Sequence, residues 1–173
     1  MTVHSYQACL RAIAAADYFV LLIGARVGGW YDQPNRISIT QQEYREAYKL
    51  HKSGKLKIIA FVRSEVWQVR EDRKALAAYL ASLNIAEELK KEITGYPSKF
   101  ASDSEFIIDF INEVSRSSET LAAARGSGDF PTGNWMHTFH SFADVIEVLQ
   151  ALAFAGLPAE ESVIRKLLSM ETH

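Results

Sequence analysis

Glu43 is the residue of this chain whose type and setting are most open to chemistry. It falls in SITQQEYREA, residues 38–47, between the apolar runs YFVLLIG and KLKIIAFV. A carboxylate one turn into a helix that follows a buried strand has two readings. In the first, Thr40-Gln41-Gln42-Glu43 is a capping box: the Thr40 hydroxyl accepts the Glu43 N–H, and the Glu43 carboxylate accepts the Thr40 N–H. Such a cap contributes about 1 kcal/mol and needs no ligand. In the second, Glu43 shares a helix face with Ala47 and Leu50 and points at a pocket. The helix dipole there favours the ionised form, which suits an electrostatic stabiliser or a nucleophile rather than an acid.

The remaining reactive side chains are less suited to chemistry. The lone Cys9 lies on an apolar helix face and reads as core. His137 and His140 stand three apart with only Asp144 near them, and an extended segment puts them on opposite faces, so no metal site is expected. GARVGG follows a strand but lacks the G-x-G-x-x-G spacing of a dinucleotide fingerprint. EELKKE, residues 87–92, reads as a solvated helix face.

The elements that would position Glu43 follow from periodicity. Residues 5–17 carry Tyr6, Cys9, Leu10 and Ile13 at helical spacing. YFVLLIG is apolar on both faces, as in a buried parallel strand. GARVGGWYDQPNRIS reads as an irregular surface loop, followed by a helix over 40–52 and a second buried strand, KLKIIAFV. A long amphipathic helix is expected over 65–93 with a break near Asn84, and another over 104–114. RGSGDFPTGN is turn-rich. WMHTF gives a closing strand, 141–155 a helix, and AEESVIRKLLSM a short final helix. The order implies an α/β fold with a small parallel sheet flanked by helices in three layers. Ligands of such sheets sit at the carboxyl ends of the strands, where residues 24–44 leave the first one.

With 173 residues, 48% apolar and 23% charged, the chain fits an α/β domain over 1–155 and a helical extension over 156–173. A net charge of −2 gives no electrostatic reason to expect nucleic acid. No apolar run approaches the roughly 20 residues that span a bilayer. The chain opens without a charged-then-apolar leader, and a single cysteine suits a reducing compartment, so a cytoplasmic place is expected.

Two stretches, CLRAIAAADYFVLLIGARVGG and ISITQQEYREAYKLHKSGKLKIIAFVR, resemble a bacterial family of domains of unknown function often found in front of signalling NTPase modules. The matching features are Asp17 before the strand, Gly24, Arg26 and Gly28 after it, Ser38, Thr40, Glu43, Tyr44 and Ala47 in the helix segment, and IIAFV. WMHTFHSFADVIEVL is similar to the closing strand and helix of that family, so the resemblance covers roughly residues 5–150. That family in turn resembles the TIR and nucleoside deoxyribosyltransferase group. There, a glutamate at the start of the corresponding helix acts on an N-glycosidic bond in NAD or a nucleoside.

The resemblance implies a nucleotide- or NAD-related effector or sensor domain, with Glu43 as the carboxylate beneath an oxocarbenium-like centre. Gly24, Arg26, Trp30, Tyr31, Ser38, Thr40 and Tyr44 would then line the substrate site. Arg26 would pair with a phosphate, while Trp30 and Tyr31 would stack on a base or nicotinamide ring or simply pack the loop. NAD would be a substrate, and no cofactor is expected. Two features depart from the family: Val27 stands where a Tyr is usual, and MTVH stands where a first strand and helix are usual. A missing first strand exposes a sheet edge, so a homo-oligomer or a partner chain is expected there. The alternative function is a non-catalytic protein-interaction module in bacterial signalling or defence.

Overall fold

The computed structural model describes residues 3–126 and 136–154. In chain order these form α1 (Val3–Ala14), β1 (Tyr18–Ile23), β2 (Trp30–Asp32), β3 (Ile37–Ser38), α2 (Ile39–Lys52) and β4 (Lys57–Arg63). They continue with α3 (Ser64–Ala81), α4 (Glu87–Gly95), α5 (Ser104–Val114), α6 (Ser117–Ala124), β5 (Met136–Phe139) and α7 (Phe142–Phe154). The chain falls into two compact units, one ending at Thr138 and the other beginning at Phe139. Residues 127–134 of the expected turn-rich stretch 125–134, and the expected final helix, lie outside the described residues.

The main sheet has the order β1-β4-β5, and β1 runs parallel to β4 in the register Val20 to Ile59 and Leu22 to Phe61. The α/β reading with a small parallel sheet therefore holds. β4 is central and buried along Ile59, Ala60, Phe61 and Val62, because both its edges are paired. β1 is an edge strand, and its burial alternates. Leu21 and Ile23 point into the core with Ala60 and Val62, against Tyr44 of α2 and Phe110 and Ile111 of α5. A second cluster, Ile13, Ala47 and Leu56, joins α1 to α2 near the start of the sheet and packs with Phe19 and Ile58 on that same face. Both clusters thus lie on one side of the sheet. On the other side Tyr18, Val20 and Leu22 of β1 remain 49, 40 and 49% exposed.

Helix ends follow local chemistry. The Asp103 carboxylate accepts the Phe106 N–H at 3.1 Å and so opens α5. Asp144 accepts the His140 and Ser141 N–H groups at 2.7 and 3.1 Å, and these backbone bonds hold its carboxyl below the usual range. The expected break near Asn84 is present, since α3 stops at Ala81 and α4 starts at Glu87. The loop after β1 differs from the irregular one expected. β2 and β3 pair antiparallel across a turn in which Asp32 accepts the Asn35 N–H at 3.2 Å and Arg36 takes a left-handed φ of 53°. A short hairpin satisfies backbone groups that an irregular loop would leave to water.

Candidate functional site

The carboxyl end of β1, the β2–β3 hairpin and the first turns of α2 bring the predicted residues into one region. Gly24 leaves β1 with open space around it, as a Cβ there would meet nothing within 4 Å. The next residue is pinned: the Ala25 carbonyl accepts both the N–H and the hydroxyl of Ser102, at 3.1 and 3.2 Å. The hairpin is held at its far end as well. Arg36 donates twice through Nη2 to Asp103, at 2.8 and 3.0 Å, and the Gly29 carbonyl accepts the Ile39 N–H at 2.9 Å.

Ser38, not Thr40, caps α2. Its hydroxyl accepts the Gln41 N–H at 3.1 Å, and the residue is fully buried. This corrects the capping-box reading, because the helix begins at Ile39 and places Glu43 too deep to reach the cap. Gln41, which now holds the third helical position, does not reach back either. Its Nε2 donates to Glu113 at 2.7 Å. Glu113 also receives Arg45 Nε at 2.7 Å and Nη2 at 3.0 Å, so one carboxylate joins α2 to α5.

Two of the expected ligand-facing rings are structural. Tyr44 is 1% exposed, stacked near Tyr48 and edge-on to Phe110. Burial pushes its hydroxyl up to about 12; Arg116 pulls down, while Glu113 and Tyr48 push up. Trp30 packs edge-on to Phe106 with ring centres 5.4 Å apart, half-buried beside the core. Tyr31 is half exposed and lies 4.8 Å from the Tyr6 ring of α1. Arg26 is exposed and Thr40 half-buried.

Glu43 is half-buried and faces α1. Desolvation raises the Cys9 thiol, and the charge and hydrogen bond of Glu43 raise it further. Burial likewise raises the Tyr6 hydroxyl, with Tyr31, Glu46 and Glu43 adding to the effect. No ion pair to Glu43 is found among the described residues. Apart from the half-buried Thr40, the residues predicted as a site divide three ways. Ser38, Tyr44 and Trp30 hold the fold, Glu43 and Tyr31 meet α1, and Gly24 and Arg26 stay at the open strand end. His137 lies against Phe61, with ring centres 5.4 Å apart.

Sequence reading missed the Glu113 junction and a groove between α3, α4 and α5 that carries charged side chains of both signs. A signal for the groove was present: Arg70, Arg73 and Lys74 stand at i, i+3 and i+4, on one face of α3.

A parallel three-stranded sheet with its core on α2 and α5 defines a small α/β domain. The sequence pattern of the family described as Domain of unknown function (DUF4062) matches residues 2–150, and the chain belongs to that family. Comparison with curated proteins and with solved structures gave no match. No helix among the described residues is long and apolar enough to cross a membrane.

Proposed function

We propose that this chain is a cytoplasmic protein-interaction module that docks through the β1 edge of its sheet, with a second copy of itself as the simplest partner. One observation carries the reading. β1 is an uncharged six-residue edge strand whose alternate side chains Tyr18, Val20 and Leu22 are 40–49% exposed. Soluble proteins usually protect such an edge with charge, proline or a bulge, and β1 has none of these. Antiparallel pairing of two copies centred on Leu21 would set Val20 opposite Leu22 and Tyr18 opposite Gly24. Light scattering at tens of micromolar tests this. The wild type should run as a dimer, and Val20→Lys should run as a folded monomer with an unchanged far-UV circular dichroism spectrum. A wild-type monomer at that concentration ends the reading.

A second reading is favoured by the state of Glu43, a half-buried carboxylate with no cation against it among the described residues. In this reading the domain releases a base from NAD or a nucleoside. Glu43 steadies positive charge at the anomeric carbon, and Arg26 and Gly24 sit at the open end of β1 for the rest of the substrate. Cys9 and Tyr6 face Glu43 from α1, so α1 would have to shift to admit the sugar. Incubation with NAD and with a set of nucleosides, following free base, tests it. Release that is abolished in Glu43→Gln supports the hydrolase, and no release with any of them rejects it.

A further inference from the structure

Helices α3, α4 and α5 enclose an open groove of about 330 Å³ that Glu43 does not touch. Its two long walls differ in charge. On one side Arg73 and Lys74 of α3 meet Lys91 of α4; on the other Glu105 and Asp109 stand on α5.

The cationic wall keeps its charge. Arg73 donates to the Ile93 and Tyr96 carbonyls at 3.1 and 2.6 Å, which orients the guanidinium without neutralising it. Lys74 and Lys91 are exposed, and neither forms an ion pair among the described residues. Local pairing is available on the same helix, since Lys90 bonds Glu87 at 2.7 Å. Arg70, beneath them, is held by Asn112 at 2.9 Å and lies 4.7 Å from the Trp67 ring. Three cations from two helices therefore line one concavity, with no carboxylate bonded to them among the described residues. This is the electrostatic setting of a phosphate site.

Across the groove, Glu105 and Asp109 would repel a bare phosphate. They can accept hydrogen bonds from hydroxyls, as acidic side chains do from ribose. Desolvation raises the Asp109 carboxyl, with Glu105 adding to it, while Arg36 opposes. The volume falls at the low end of the range for small-molecule sites, roughly 300–1,000 Å³.

We propose that this groove binds a phosphomonoester carrying vicinal hydroxyls and of nucleoside-monophosphate size. The phosphate lies against Lys74, Lys91 and Arg73, and the hydroxyls donate to Asp109 and Glu105. The inference does not depend on Glu43 or on the β1 edge, and it gives the module a ligand-sensing site apart from both.

Titration of the full chain with AMP, inorganic phosphate and adenosine, followed by calorimetry, tests the site. AMP should bind saturably and more tightly than either phosphate or adenosine, and binding should weaken with added salt. Lys74→Gln with Lys91→Gln should weaken AMP at least tenfold without moving the melting point, because both side chains are exposed. Asp109→Asn should narrow the gap between AMP and phosphate. Lys90→Gln, next to Lys91 on α4 but paired with Glu87 and outside the groove lining, should leave AMP binding unchanged. Absence of saturable AMP binding, equal affinity for AMP and phosphate, or an unaltered affinity in the double lysine variant would overturn the proposal.

Discussion

The Ser38 hydroxyl accepts the Gln41 N–H at 3.1 Å, two residues upstream of the Thr40 that the sequence pattern offers as the cap. Ser38→Ala should therefore cost about 1 kcal/mol or more, because it also leaves a buried N–H without its acceptor. Thr40→Ala and Glu43→Gln should each stay within about 0.5 kcal/mol, as neither touches the cap. Urea denaturation of the three variants ranks them. A Thr40→Ala loss equal to that of Ser38→Ala would restore the capping-box assignment.

Glu113 should be the most sensitive polar residue of the core margin. It accepts Gln41 at 2.7 Å and Arg45 at 2.7 and 3.0 Å. Glu113→Ala strands the buried Gln41 amide and should cost about 1–3 kcal/mol. Glu113→Gln keeps one acceptor oxygen and should cost less. Melting points that fail to separate the two variants would mean that the junction contributes shape rather than hydrogen bonds.

Contact between Glu43 and Cys9 should be visible in thiol reactivity. Burial first, then Glu43, raises the Cys9 thiol, so less thiolate is present at a given pH and alkylation slows. Iodoacetamide at pH 8 should label Cys9 more slowly than a free thiol, and Glu43→Gln should speed the labelling several-fold. Equal rates in the two proteins would place Glu43 away from α1.

Tyr44 should limit stability in alkali. Its hydroxyl is raised from 10.0 to about 12, so the folded chain holds a proton that the unfolded chain gives up. The contribution is intact below about pH 10 and is lost as pH rises toward 12, since the unfolded state then binds fewer protons. Tyr44→Phe removes this term. At neutral pH it should cost under about 1 kcal/mol, because the hydroxyl's bond to the Val114 carbonyl is long, at 3.5 Å. Its alkaline unfolding midpoint should move upward by roughly half a pH unit. A midpoint unchanged from wild type would show that other groups set the alkaline limit.

The sequence by itself determined the elements whose signal is carried by neighbouring residues. Two β-rich apolar runs gave β1 and β4, the spacing of Phe106, Ile107, Phe110, Ile111 and Val114 gave α5, and a lapse in periodicity gave the break before α4. It also located the candidate residues at the carboxyl end of β1, because parallel crossovers leave loops there. Tertiary structure decided what those residues do. Ser38 and Thr40 carry the same functional group, and only the exact start of α2 assigns the cap to one of them. Tyr44 became core rather than a pocket wall because Phe110, 66 positions on, closes over it. Glu43 meets Cys9, and Gln41 and Arg45 meet Glu113, across separations along which no local period runs. The α3–α5 groove was hidden for the same reason. A basic face at i, i+3 and i+4 reads as solvated until a second helix brings its own lysine to line the same groove.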